Sequence, residues 1–184
     1  MGADFKELKR KADSLWDQLT SGQGHWIRIG SDLSGQSAGS EAVASRFEQE
    51  IGQRNLKAIV TEVGTLGFCF AEPLVDIVSP NMPRAVYGNV KPEDVPSIID
   101  SHLIKGVPLK EMLVGVFGQN ENSDLPDIFQ HPMMKDQLRI VLRNAGHVEP
   151  GNVNHYLAND GYAALHKVLN SMTPEEVCEE ILGS

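Results

Sequence analysis

The chemistry open to this chain centres on its cysteines, of which the 184 residues contain two, Cys69 and Cys178. Cys69 lies in a run that leads from one apolar segment through a glycine turn into another. A thiolate in such a loop would serve as an iron ligand or a redox thiol. A single cysteine between Phe68 and Phe70 is more often a buried or partly buried thiol, and we interpret Cys178 as structural.

Other candidate sites are weaker. The six histidines show no convincing ligand pair, so a zinc site is not expected. The Gly/Ser-rich segment 30–40 would offer backbone amides to an anion before a predicted helix. Its glycines match neither the dinucleotide fingerprint nor the P-loop, and the alternative is a loop shaped for an absent ligand. No catalytic residue is predicted, because residue order alone supports no Ser-His-Asp arrangement.

Charge and composition narrow the class of protein. The formal net charge of −9 disfavours nucleic acid and anionic membranes as partners. No apolar run approaches the ~20 residues that a membrane span needs, and the first residues lack the apolar core of a secretory signal. Two cysteines in a chain of this length agree with a reducing compartment. We therefore expect a cytoplasmic protein without direct membrane insertion.

Hydrophobic periodicity predicts the elements that must position Cys69. The first half reads as a helix at 5–19, a strand at 25–29, a helix at 41–51 capped by Ser37 or Ser40, and a strand at 56–63. A strand-helix-strand unit with a short helix favours parallel pairing of the two strands.

The second half begins with a predicted antiparallel hairpin of strands at 74–78 and 84–90, joined by turn residues. A helix is expected to begin at Pro92 and to end at Gly106. From Gly115 to Asp124 the chain has almost no apolar residues and cannot nucleate a core, so residues 115–136 are predicted to be a linker. A strand is predicted at 137–144, and helices at 153–157, at 161–169 and after an N-cap at Thr173.

The run 60–77 resembles the loop Cys-hydrophobic-Gly-hydrophobic-Cys of the thioredoxin-like ferredoxin module in NADH dehydrogenases and NAD-linked hydrogenases and formate dehydrogenases. Thr65 stands at the first cysteine position and Cys69 at the second. The family's other cysteine pair belongs to the loop 30–40, where this chain has no cysteine. The positions of the degenerate cluster loop are Gly30, Ser34, Gly35, Thr65 and Cys69. The resemblance therefore implies a module that keeps the fold and lacks the 2Fe-2S cluster, with no metal ligands.

The tail resembles the entry to the NADH- and FMN-binding flavoprotein subunit of complex I, the 51 kDa type, through residues 139–146, 155–162 and 172–177. This resemblance implies the amino-terminal piece of a longer flavin subunit. FMN, NAD and a 4Fe-4S cluster are then expected in a downstream region, and no cofactor in this portion.

The expected fold is α/β, a thioredoxin-like, ferredoxin-type domain followed by a mainly helical C-terminal extension. The predicted division is a domain at 1–114, a linker at 115–136 and the start of the FMN/NADH-binding region at 137–184.

Two functions follow from the resemblance. In the first, the chain is a cluster-free structural and docking module of an NADH:acceptor oxidoreductase, with the downstream domain and other subunits as partners and no catalysis of its own. In the second, it transfers electrons or does thiol redox chemistry through an atypical centre that involves Cys69.

Overall fold

The computed structural model describes residues 4–118 and 124–184. The helices are α1 (Phe5–Thr20), α2 (Leu33–Ala38), α3 (Ser40–Arg54), α4 (Val95–Ile98, continued by a π-helical segment Ile99–Ile104), α5 (Val153–Ala158), α6 (Ala163–Ser171) and α7 (Pro174–Gly183). The strands are β1 (His25–Gly30), β2 (Ala58–Val63), β3 (Val75–Val78), β4 (Arg84–Tyr87) and β5 (Leu113–Phe117). Within the described ranges, every helix is too short or too polar to cross a bilayer.

One five-stranded sheet organises the chain, with the order β2-β1-β3-β4-β5. β1 and β2 are parallel, as predicted, because α2 and α3 form the crossover between them. β3 and β4 form the predicted antiparallel hairpin. The α/β class and the helical C-terminal part are confirmed.

The sheet buries an apolar face under α3 and α4. Strand side chains alternate between the two faces, so every second residue of β1 and β3 points to these helices. Buried members of this cluster are Ile27, Ile29, Phe47, Val75, Ile77 and Ile98. This face is a helix-on-sheet core, in which the buried His102 lies 2.6 Å from the Tyr87 hydroxyl.

The opposite face of the sheet is covered by irregular chain rather than by helices. Its apolar cluster includes Leu66, Phe68, Leu74, Val86, Ile128 and Met134. Ile128 and Met134 are buried, although they come from the segment 115–136 that was predicted to be a linker. That expectation was wrong because a few apolar residues, spaced among polar ones, reach the sheet together. Residues 119–123 of that segment lie outside the described residues.

Strand β5 is part of the same correction. Residues 115–117 were assigned to the linker, and they pair with β4 instead. A Cβ on Gly115 would lie 3.0 Å from the Ile128 amide nitrogen, so the glycine permits this close approach. The glycine that suggested a linker in fact serves close packing.

Three further local expectations differ from the structure. The Gly/Ser segment contains a short helix, α2, and is not loop throughout. The helix predicted from Pro92 begins at Val95, after a turn in which the Lys91 amide donates to Asp94 Oδ2 at 2.9 Å. The strand predicted at 137–144 is a series of turns, and its apolar side chains are exposed.

Contacts group the described residues into two units, Gln18–Glu149 and the chain up to Asp17 with Pro150–Ser184. In the second unit, Phe5 stacks on His166 with ring centroids 4.5 Å apart. Lys9 Nζ donates to the Ala158 carbonyl at 3.5 Å. Thr173 caps α7 through the predicted N-cap bond, with Glu176 completing a capping box. The domain boundaries expected from the sequence stay a prediction.

Two isoleucines on neighbouring strands test the helical-face core. Ile27 is 0% exposed in β1, whereas Ile59 in β2 is 51% exposed. We expect Ile27→Ala to lower the free energy of unfolding by about 2–5 kcal/mol, because it removes a buried side chain and leaves a cavity. Ile59→Ala is the matched control and should have a much smaller effect. Urea unfolding followed by circular dichroism measures both, and equal losses would contradict this assignment of the core.

Candidate functional site

The two loops that hold the predicted ligand positions lie side by side. Ser34 belongs to α2, and Cys69 begins a 3-10 turn, Cys69–Ala71. Ser34 Oγ lies 3.7 Å from Cys69 Sγ, within the range of a weak hydrogen bond to sulfur. The structure therefore brings Ser34 and Cys69 together across 35 residues of chain.

The first of these loops is ordered by Asp32. Its Oδ1 accepts from the Gly35 amide at 3.0 Å and from Ser34 Oγ at 2.9 Å, which caps α2. A Cβ on Gly35 would lie 2.1 Å from the Gly30 carbonyl oxygen, so glycine is required there by packing. The Gly35 amide, which an anion would use, is bonded to the Asp32 carboxylate instead.

The expected caps of the next helix were wrong. α3 begins at Ser40 after Gly39, whose φ is 99° and which has no side chain to cap it. Asp32, two residues before Ser34, was missed as a cap because no helix was predicted inside the Gly/Ser segment. An aspartate three residues before Gly35 was the available signal.

The second loop is held by a buried carboxylate. Thr65 Oγ1 donates to Glu72 Oε1 at 3.1 Å, and the Leu74 amide donates to Glu72 Oε2 at 2.8 Å. Thr65 Oγ1 also accepts from the Gly67 amide at 2.9 Å. Burial raises the pKa of Glu72, and the bonds from Leu74 and Thr65 act in the opposite direction. We call this set of Thr65, Glu72 and Leu74 the carboxylate clasp.

The carboxylate clasp reaches the end of β1. A Cβ on Gly30 would lie 2.9 Å from Glu72 Oε2, so any larger residue at this position would meet the carboxylate. Gly30 and Thr65, both predicted positions of the degenerate cluster loop, therefore face the same carboxyl group. Glu72 was not singled out from the sequence, because only the fold shows that its side chain turns inward.

The donor set does not fit a 2Fe-2S cluster. Four thiolates normally hold such a cluster, and this chain has two cysteines, one of them in this region. The Thr65 and Ser34 hydroxyls donate to carboxylates, so each keeps the proton that a metal-bound alkoxide would have lost. A cysteine in place of Gly30 would collide with the Glu72 carboxylate. Among the described residues, no three His, Cys, Asp or Glu side chains are grouped to hold a metal ion.

Both cysteines are exposed, which corrects the expectation that Cys69 is a buried or partly buried thiol. Phe68 is buried, whereas Cys69 and Phe70 lie outward at the start of the 3-10 turn. Exposure makes the Cys69 thiol accessible to reagents in solution.

A second polar cluster lies on the sheet face opposite α3 and α4, and sequence reasoning missed it. Arg28 of β1 and Asp76 of β3 are cross-strand partners, and Arg28 Nη2 donates to Asp76 Oδ1 at 3.1 Å. Arg84 of β4 binds the same carboxylate through Nε, at 2.9 Å from each oxygen, and through Nη2. The available signal was one charged residue inside each of two apolar strands, HWIRIG and VDIV.

This cluster is strongly desolvated. Arg28 is 2% exposed, and burial lowers its pKa to about 10 although Asp76 acts to raise it. The guanidinium also lies 4.3 Å from the ring centroid of Trp26. His147, from the segment after β5, completes the cluster with Nδ1 3.1 Å from Arg28 Nη1.

Comparison with known proteins finds similar 2Fe-2S ferredoxins and similar hydrogenase subunits. No family model matches the chain. A curated 2Fe-2S ferredoxin from Aquifex aeolicus is 33% identical over 79 residues, which are 41% of this chain and 68% of the ferredoxin. A solved thioredoxin-like [2Fe-2S] ferredoxin from Aquifex aeolicus superposes with a TM-score of 0.45 at 22% identity, over 54% of this chain and 97% of its own.

Two subunits of the NADP-reducing hydrogenase of Solidesulfovibrio fructosivorans are also similar. HndB is 22% identical over 111 residues, which are 59% of this chain and 88% of that subunit. HndC is 49% identical over 50 residues, which are 27% of this chain and 10% of that subunit. The chain therefore matches most of HndB and about one tenth of HndC.

The carboxylate clasp is tested at Thr65. Thr65→Val removes the hydroxyl but keeps the shape, and leaves Glu72 Oε1 without its donor. We expect the free energy of unfolding to fall by about 1–3 kcal/mol, the range for a hydrogen bond to a charged, buried group. Thr65→Ser keeps the hydroxyl and should lose clearly less. Chemical unfolding of the unmodified chain, Thr65→Val and Thr65→Ser measures these free energies. Equal stability of the valine and serine variants would show that the hydrogen bond from Thr65 to Glu72 does not stabilise the loop.

The buried ion cluster is tested at Asp76. Asp76→Ala leaves two guanidiniums without their carboxylate, and we expect a loss of about 3–5 kcal/mol in the free energy of unfolding. Asp100→Ala removes an exposed ion pair with Arg54 and should cost less than about 1 kcal/mol. Urea unfolding at fixed ionic strength compares them. Similar small losses at both sites would show that the buried cluster does not stabilise the sheet.

Proposed function

Since this chain belongs to the 2Fe-2S ferredoxin family, we propose that it is a structural and docking module of a multisubunit oxidoreductase, free of a cluster and without catalysis of its own. The proposal combines the relationship to electron-transfer proteins with a site that lacks their usual ligands. The parent reaction would be an NADH:acceptor oxidation carried out elsewhere in the complex.

The observation that carries the proposal is the state of the hydroxyls at the ligand positions. Thr65 Oγ1 donates to Glu72, and Ser34 Oγ donates to Asp32, so both oxygens already have protein partners. A hydroxyl that replaces a thiolate at iron would need to lose its proton and its present acceptor. The region supplies hydrogen bonds in place of metal–sulfur bonds, and the loops stay in position without iron.

The hydrogenase relatives support a role inside a larger assembly. HndB and HndC are subunits of an NADP-reducing hydrogenase, and this chain matches 88% of the length of HndB and 10% of the length of HndC. We infer that the chain lies next to a flavin-containing region, in which FMN, NAD and a 4Fe-4S cluster would carry out the chemistry, and next to other subunits, in the cytoplasm. Hydride and electron transfer would then bypass the degenerate cluster loop.

A second candidate function rests on Cys69. Its thiol is exposed and lies 3.7 Å from Ser34 Oγ, at the one cysteine position of the degenerate cluster loop that remains. As its thiolate, Cys69 would attack a disulfide of a partner protein, forming a mixed disulfide and releasing the partner's other sulfur as a thiolate. It would otherwise bind one iron of an atypical centre together with outside ligands.

An iron and acid-labile sulfide assay separates the two functions. After anaerobic reconstitution with iron and sulfide and desalting, we expect only trace iron and a colourless protein, because three of the four thiolates are absent. A 2Fe-2S ferredoxin reconstituted in parallel is the positive control. Stoichiometric iron and sulfide, with visible absorption that Cys69→Ser abolishes but Cys178→Ser does not, would overturn the cluster-free proposal and favour the second function.

A further inference from the structure

The segment 139–149 crosses the sheet face that carries the buried ion cluster, and we call it the strap. It is built from turns, with the His147 and Val148 amides donating to the Asn144 carbonyl at 3.0 and 3.2 Å. His147 is its polar contact with the sheet. The ring lies between two arginines, with Nδ1 3.1 Å from Arg28 Nη1 and Nε2 2.9 Å from Arg84 Nη1.

Both arginine neighbours are donors, and Arg84 Nη1 also lies 3.3 Å from Nδ1, so only the ring nitrogen that carries the lone pair accepts from them. A neutral imidazole offers one lone pair, and an imidazolium offers none. The charged groups that face His147 are Arg28 from β1, Asp76 from β3, Arg84 from β4 and Arg139 from the strap itself. Three guanidiniums outnumber one carboxylate, and a proton on His147 would add a further positive charge to a desolvated site.

The strap also contacts the degenerate cluster loop. Gly146, next to His147, has a φ of 77°, and a Cβ there would lie 2.5 Å from Leu66 Cδ2. Leu66 is buried and follows Thr65 of the carboxylate clasp directly. His147, which contacts the sheet, is therefore adjacent to Gly146, which packs on this loop.

We propose that His147 is a proton-sensitive anchor: its neutral ring holds the strap on the sheet and the loop 64–68 under it, and its protonation releases both. The device is independent of whether the loop carries a cluster. Protonation of His147 at low pH would thus expose the loop 64–68, which in the proposed function holds no metal.

The direction of the pH dependence follows from the environment. Burial, then Arg84 and Arg28, lower the pKa of His147 from 6.5 to about 4. The released state therefore binds the proton more tightly than the docked state. Docking is at full strength above pH 6.5 and weakens as the pH falls toward about 4.

Hydrogen exchange with residue resolution tests the anchor on the full chain. Between about pH 7.5 and about pH 4.5, protection of the amides at 64–68 and 144–148, corrected for intrinsic rates, should fall by between about 10-fold and 100-fold. The buried histidine His102 also has a pKa lowered to about 4 by burial, so the core amides of β1 serve as the reference for global opening. We expect the strap and the loop to lose protection before β1 does.

Three variants make the test specific. His147→Gln keeps one acceptor and does not titrate, so its strap should stay protected at low pH. His166→Gln, on α6, is the matched control and should behave as the unmodified chain. Gly146→Ala should release the strap and the loop at neutral pH, since its Cβ meets Leu66.

Two results would overturn the proposal. One is equal loss of protection in the strap and in β1 of the unmodified chain at every pH. The other is the same acid-induced loss in His147→Gln as in the unmodified chain.

Discussion

A buried carboxylate must receive hydrogen bonds inside the protein, and Glu72 meets this constraint at the centre of the candidate site. Its two oxygens take one donor from the Thr65 hydroxyl and one from the Leu74 amide at the entry to β3. The same carboxyl group fills the space beside Gly30 at the end of β1. The Glu72 side chain thus contacts three segments, the loop at Thr65, the entry to β3 and the end of β1. In the proposed cluster-free function, these contacts of Glu72 would keep the loop in place without iron.

The two faces of the sheet differ in the interactions that stabilise them. Under α3 and α4 the contact is apolar, and the burial of side chains such as Phe47 provides the driving force. On the opposite face an apolar cluster that includes Phe68 is accompanied by a desolvated carboxylate, Asp76. Arg28 and Arg84 share this carboxylate, and removing it would be costly. The degenerate cluster loop and the strap lie on this second face. The proposed pH sensitivity of the strap therefore concerns this face of the sheet.

The sequence predicted those features that depend on local pattern. The first four strands, the parallel and antiparallel pairings and the cap at Thr173 follow from periodicity and turn chemistry. The resemblance identified Thr65 and Cys69, but Glu72 and the pair of Arg28 with Asp76 depend on contacts between distant residues. β5 was missed because Gly115 reads as a loop residue until Ile128 is known to pack on it. The strand predicted at 137–144 was wrong because an apolar run carries no information about whether a neighbouring strand is available to pair with it.

The central claim is that the ligand positions hold protein hydrogen bonds in place of metal–sulfur bonds. Diffraction at the iron absorption edge, on crystals of the anaerobically reconstituted protein, tests it most directly. The account predicts no anomalous peak between Ser34, Thr65 and Cys69, with the Glu72 carboxylate within hydrogen-bonding distance of the Thr65 hydroxyl. A pair of iron peaks there, with Glu72 turned away from Thr65, would contradict it.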